Sequence, residues 1–271
     1  MVLILLMVLF VGMAAFGGWK LVQNKQEYAA GADAYATLAA TAVQQAAPEE
    51  APKDPVFFEA EIFEVPSPET QETASVGSVT QTLPALRVDF SVLQAINSQA
   101  VAWISGCDGA IHYPVVQGTD NDYYLNHLFD GTTNRNGAIF MDYRNASDLS
   151  GRNTFLYGHN MRNGSMFAAL TNYADPAYYG QHPELVLVLP ERTYSLQVFS
   201  GYVTPGNSDV YQMEFRDDAE FEAYLERVIA MSDFSSDVSV APTDKIVTLS
   251  TCTYDYEDAR YVLHCKLVPM Q

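Results

Sequence analysis

Three side chains in this sequence have the types needed for nucleophilic chemistry at a carbonyl: the thiol of Cys252, the guanidinium of Arg260 and the imidazole of His159. Cys252 closes the run Ile246-Val247-Thr248-Leu249-Ser250-Thr251-Cys252, and Arg260 opens the run Arg260-Tyr261-Val262-Leu263-His264-Cys265-Lys266-Leu267-Val268. Both runs are β-branched and alternating, so they read as neighbouring strands joined by a polar link that holds Tyr254, Asp255, Glu257 and Asp258. A thiol attacks, a guanidinium holds negative charge without releasing a proton, and an imidazole carries protons near neutral pH.

Side chains alternate between the two faces of a strand. On the first strand Val247 and Leu249 share one face, and Thr248, Ser250 and Cys252 share the other, which reads as polar and accessible. On the second, Tyr261, Leu263, Cys265 and Leu267 form the apolar face, opposite Arg260, His264 and Lys266. Cys252 therefore reads as reactive and Cys265 as core, packing being the ordinary role of a free cysteine. For Arg260 the plainer alternative is a surface salt bridge with Asp255, Glu257 or Asp258.

Of the five histidines His159 stands out, because Thr154-Phe155-Leu156-Tyr157-Gly158-His159-Asn160-Met161 carries an apolar strand into a glycine and a polar turn. His112, His127, His182 and His264 read as structural or solvated. His264 shares a strand face with Arg260 but lies about 13 Å along it.

Thr248 to Cys252, Arg260 and Leu156-Tyr157-Gly158-His159-Asn160-Met161 together resemble a class B sortase. So do Trp103-Ile104, Tyr113-Pro114-Val115-Val116-Gln117-Gly118, the stretch Asp120 to Asn126, and Ile139-Phe140-Met141-Asp142-Tyr143-Arg144-Asn145. The similarity runs over residues 86–271. It implies a cysteine transpeptidase that cuts a C-terminal sorting signal of secreted proteins and joins the new carboxyl end to a cell-wall peptidoglycan amine. Cys252 would attack the scissile carbonyl to form a thioacyl-enzyme, Arg260 would hold the oxyanion, and His159 would protonate the leaving amine and deprotonate the incoming one. Ser250 and Thr251 would orient substrate or arginine, with plain backbone pairing as the alternative. A pilin-polymerising sortase and a thiol hydrolase would use the same residues. A membrane-tethered binding module would treat Cys252 as structural.

The 33 acidic residues against 14 Lys and Arg give a net charge of −19, which excludes a nucleic-acid partner because phosphate recognition needs clustered cations. Three cysteines, Cys107, Cys252 and Cys265, make neither a disulfide framework nor a zinc pattern. No dinucleotide fingerprint, P-loop or zinc-protease motif occurs, so no cofactor and no metal are expected. Cys107, in Ser105-Gly106-Cys107-Asp108-Gly109, reads as an incidental exposed thiol in a turn.

Met1 to Gly18 is an unbroken apolar stretch, about 27 Å as a helix against a hydrocarbon core of about 30 Å, and it spans if continued through Val22. Residues 1–23 thus read as a transmembrane anchor, with a cleaved signal peptide as the rival. An extracellular, single-pass placement at the cell membrane rests on the family resemblance. Residues 24–84 read as an acidic Pro/Ala-rich spacer, helical at first and then too poor in apolar residues to fold alone. Val56-Phe57-Phe58 and Ile62-Phe63 are exceptions within it.

From residue 85 onward the pattern is mainly β. Asp89 caps an amphipathic helix carrying Phe90, Val92, Leu93 and Ile96. Short strands are expected at Val101–Ile104, Ala110–Val116, Ala138–Asp142, Thr154–Tyr157, Leu185–Leu189, Tyr194–Val203 and Ile246–Thr251. Helical insertions are expected at Ser165–Leu170 and Asp217–Met231. The spacing predicts a β-barrel or sandwich, and the family resemblance implies a sortase-type closed β-barrel with peripheral helices, in which Tyr123, Tyr124 and Tyr143 pack.

Overall fold

A computed structural model of the chain describes residues 2–45 and 86–270, with the backbone alone at 2–9, 11 and 45. Val56 to Phe63 and most of the expected spacer lie outside the described residues. In chain order the elements are α1 (Val2–Ala42), β1 (Val43–Gln45), β2 (Leu86–Val88), α2 (Phe90–Ile96), β3 (Ala100–Gly106), β4 (Ile111–Val116), β5 (Ile139–Met141), β6 (Asn153–Tyr157), α3 (Pro176–Gln181), β7 (Glu184–Val188), β8 (Thr193–Pro205), α4 (Asp218–Ala230), β9 (Ile246–Cys252) and β10 (Ala259–Pro269).

Eight strands close into a barrel in the order β10-β8-β7-β3-β4-β5-β6-β9, which leaves no barrel edge open to further pairing. Two neighbouring pairs, β4 with β5 and β6 with β9, are parallel. Parallel neighbours need long crossovers, and these loops are what build the site. Because β6 and β9 run the same way, with Tyr157 opposite Ser250, His159 and Cys252 emerge at the same end of the barrel. The antiparallel β10 starts there, with Arg260 opposite Cys252.

Alternation sorts the last two strands as the sequence predicts on their inner faces. Val247, Leu249, Tyr261, Leu263 and Cys265 are buried in the main core. Their outer faces differ from expectation at Thr248 and Ser250, which are buried rather than accessible; His264 is buried too, in line with its reading as structural. Ser250 is covered by Tyr211, whose hydroxyl lies 2.9 Å away, and the rest of the face by α4, which Asp217 caps by accepting from the Glu220 amide. Its buried face, with Phe221, Tyr224, Leu225 and Val228, forms a second core with Phe199, Tyr202, Ile246 and Val262 on the outside of the barrel. Lys266, past the edge of this cover, pairs with Asp244 at 2.9 Å.

Asp89 caps α2 as expected, accepting from the amides of Ser91 and Val92. The insertion expected at Ser165–Leu170 instead forms a 3-10 stretch at Ala168–Ala174 followed by α3. Met166 takes a φ of 60°, a left-handed conformation that stops a helix from running through it. Cys107 is buried, not exposed, with its sulfur 3.6 Å from the Tyr173 hydroxyl. Tyr124 packs in the core, whereas Tyr123 and Tyr143 are exposed.

The helix expected after the apolar N-terminal stretch extends through Ala42 and does more than space. Tyr35, Leu38 and Ala42 are buried in the barrel's main cluster, and β1 pairs with β2 antiparallel. The second half of α1 therefore packs on the domain. Among the described residues no helix is long and apolar enough to cross a membrane. Phe10, Met13, Phe16, Trp19 and Leu21 are all exposed along α1.

Candidate active site

At the barrel end where β6 and β9 finish and β10 begins, a cleft of about 420 Å³ is lined by His159, Ser250, Thr251, Cys252 and Arg260 together with Asn121, Leu125, Arg144, Tyr157 and Tyr211. All five residues singled out from sequence thus meet in one cavity.

Cys252 is half-buried at the last position of β9. Its cross-strand partner is Arg260, and paired positions hold their side chains about 5 Å apart at the β-carbon. The guanidinium is itself tethered: one nitrogen lies 2.8 Å from Oδ1 of Asp258 and another donates to the Ala259 carbonyl at 3.1 Å. The salt bridge weighed from sequence is therefore present, and Arg260 still lines the cleft. Asp258 sits at a φ of 60°, so the turn before β10 folds its carboxylate back beside the guanidinium.

His159 lies just past β6, the neighbour of β9 on the side away from β10. Its Nε2 is 2.7 Å from the Leu125 carbonyl. A carbonyl only accepts, so Nε2 carries the hydrogen in the neutral ring and Nδ1 is left as the position where a proton can come and go. The main chain holds this turn on both sides, with the Phe167 amide donating to the His159 carbonyl at 2.9 Å and the Gly158 amide to the Ser250 carbonyl at 3.2 Å.

Ser250 and Thr251 face opposite ways. The Thr251 hydroxyl donates to the Gly158 carbonyl at 2.8 Å, stitching β9 to the strand that leads to His159. The Ser250 hydroxyl is 2.9 Å from the Tyr211 hydroxyl. Burial pushes the Tyr211 phenol above its ordinary value, so it stays a hydroxyl at neutral pH. Its ring packs near Phe155 and Tyr157, forming an aromatic wall beside the thiol.

Sequence reasoning assigned no role to Asp142, which organises the remaining wall. Its buried carboxylate accepts from Asn121 Nδ2 at 2.9 Å, from the Tyr157 hydroxyl at 3.0 Å and from Arg144 at 2.7 and 2.9 Å. Burial alone would raise this carboxyl, but the Arg144 hydrogen bonds and charge outweigh it and hold Asp142 below the usual carboxylate range. The three donors all line the cleft. Asn121, Asp142 and Arg144 occur in the stretches that resemble the family, yet nothing in their spacing shows that they converge. Tyr211 lies in a loop without a sequence signal.

His264 does not reach the cleft. It is buried behind β10, where its Nδ1 is 2.9 Å from the Thr248 hydroxyl and its Nε2 is 3.2 Å from that of Tyr202. Thr248 spends its one hydrogen on Asn153 Oδ1, so Nδ1 must donate to it and Nε2 must accept from Tyr202. His112 and His182 are engaged with Ser105 and Asp108, and His127 stacks on Tyr123. Among the described residues no cluster of His, Cys, Asp or Glu is arranged to hold a metal.

Comparison with known proteins agrees with this architecture. The Sortase domain family model matches residues 104–268. Sortase B of Listeria monocytogenes is 40% identical over 185 residues, covering 68% of this chain and 75% of that protein. Sortase B of Staphylococcus aureus is 35% identical over 185 residues, covering 68% and 76%. A crystal structure of S. aureus sortase B superposes with a TM-score of 0.65 at 35% identity, covering 68% of this chain and 88% of the solved one. With a closed barrel whose end gathers a thiol, a guanidinium and an imidazole, the chain belongs to the sortase family of cysteine transpeptidases, on its sortase B branch.

Proposed function

We propose that this chain cleaves a sorting signal near the C-terminus of secreted proteins and transfers the new carboxyl end to a cell-wall amine through a thioester on Cys252. The observation that carries this reading is the cross-strand pairing of Cys252 with Arg260, with His159 lining the same cleft. In support, solved sortase B structures include a substrate complex of the S. aureus enzyme and a complex with triglycine.

Cys252 as thiolate adds to the scissile carbonyl, whose oxygen gains negative charge and accepts hydrogen bonds from the Arg260 guanidinium. The tetrahedral centre collapses to a thioester as the C–N bond breaks, and the departing amine takes a proton from His159 Nδ1. In the second half an incoming amine attacks the thioester, gives a proton back to Nδ1, and the thiolate leaves. The Leu125 carbonyl, by fixing Nε2–H, keeps the same nitrogen in use for both transfers.

Residues 1–23 anchor the enzyme in the membrane with the barrel outside, a reading supported by the apolar run that opens α1 and by the exposed Phe10, Met13, Phe16 and Trp19. The test of the whole reading is to incubate the full chain in detergent with a sorting-peptide library and candidate amines, and to read products by mass. An amide between the cut peptide and an added amine is expected. Hydrolysed peptide alone, at every amine concentration, would make the chain a peptidase.

A further inference from the structure

We infer that Tyr35 on α1 is a positioning residue for His159, acting through Gly137 and the Leu125 carbonyl. The inference rests on the reading of His159 as the proton carrier.

The Tyr35 hydroxyl is buried and donates to the Gly137 carbonyl at 2.6 Å. Gly137 has a φ of 59°, and a β-carbon there would lie 2.9 Å from the Leu125 oxygen and 3.1 Å from His159 Cδ2. Cδ2 is the ring atom next to Nε2. Gly137 therefore abuts both partners of the one hydrogen bond that fixes the imidazole, with no room for a side chain between.

Tyr35 is the last of a row of contacts from α1 to this segment. Asn134 Nδ2 donates to the Glu27 carbonyl at 3.0 Å, the Arg135 amide to Glu27 Oε1 at 3.0 Å and Asn136 Nδ2 to the Tyr28 carbonyl at 3.3 Å. The approach is close enough that a β-carbon on Gly31 would lie 2.3 Å from Asn136 Nδ2. The Ala138 amide then donates to the Tyr124 carbonyl at 2.9 Å, tying the clamped segment to the residue before Leu125.

A helix clamp on residues 134–137 thus sets where the Leu125 carbonyl and the imidazole edge meet. Reactions that need atoms aligned lose about a hundredfold for a misplacement of ~1 Å. A partial loosening by loss of one hydroxyl is expected to lower kcat by about tenfold, with KM within about twofold, because His159 transfers protons and does not hold substrate.

The experiment compares Tyr35→Phe and Gly31→Ala with the unchanged full chain in detergent. It reads peptide transfer kinetics, thermal midpoint and the nitrogen NMR signals of the His159 ring above its titration. Tyr35→Phe keeps the ring packing and removes only the hydroxyl. The expected result is a fall in kcat in both variants, and a shift of the His159 signals from a single Nε2–H tautomer toward a mixture. Unchanged kcat, or a lowered midpoint with an unchanged His159 spectrum, would overturn the inference. His159→Ala is run in parallel: if it keeps activity, the role given to His159 fails, while the spectra of the Tyr35 and Gly31 variants still decide whether α1 sets the ring.

Discussion

Cys252 and Arg260 are direct cross-strand partners at the turn end of the β9–β10 pair, and Asp258 holds the guanidinium from the turn between them. The rigid element in this site is thus a two-stranded ladder, which fixes the spacing between nucleophile and cation better than loops would.

Arg260→Lys is expected to fail despite keeping the charge, because an ammonium lacks the planar fork that meets an oxyanion while remaining paired with Asp258. Loss of one oxyanion donor typically lowers the rate by about 10²–10³. The contact forms mainly in the transition state, so steady-state kinetics should show the loss in kcat and little change in KM. A near-normal kcat, or a change in KM alone, would reduce Arg260 to a substrate-binding group.

Ser250→Ala removes the hydroxyl partner of Tyr211 without touching the ladder. A lost hydrogen bond of this kind is worth about 1 kcal/mol, or roughly fivefold in an equilibrium. Since Tyr211 forms a wall of the cleft, that factor is expected in KM for the peptide, with kcat preserved. Equal KM values in the two proteins would show that the aromatic wall stands without Ser250.

Acid sensitivity should come from behind the cleft. Full burial pushes His264 down to about 3, whereas an unfolded chain has its histidines near ~6.5. Between those values the unfolded chain binds a proton that the folded chain refuses, so stability falls as pH drops below about 6.5, by up to about 1.4 kcal/mol per pH unit. Asp142, held below the ordinary carboxylate range, adds its loss only below about 4. Urea unfolding between about pH 7 and 5 therefore reads His264 together with His112, whose value burial also lowers: His264→Gln should reduce the slope, and an unaltered slope would place the refused proton elsewhere.

The barrel strands were legible because each is a short alternating run, and alternation also put Val247, Leu249 and Cys265 inside. Alternation says which residues share a face but not what covers it, so Thr248 and Ser250 read as accessible while the α4 cluster and the Tyr211 hydroxyl cover that face. Cys252, His159 and Arg260 were visible as chemical types at strand ends. Asp142 and Tyr211 were not, since their contacts with Tyr157, Asn121 and Ser250 join segments that only the barrel closure brings together. The packing of Tyr35 and Leu38 was hidden for another reason: α1 begins as an apolar run, and alanines dominate its second half.

The identity of the nucleophile is tested most directly by intact-mass measurement of the full chain mixed with a sorting peptide in the absence of amine. An adduct equal to the N-terminal peptide fragment in thioester linkage, mapped to Cys252 and discharged by added amine, is expected. Cys252→Ala should show neither adduct nor cleavage. Undiminished cleavage in that variant, or an adduct mapping to Cys107 or Cys265, would contradict it.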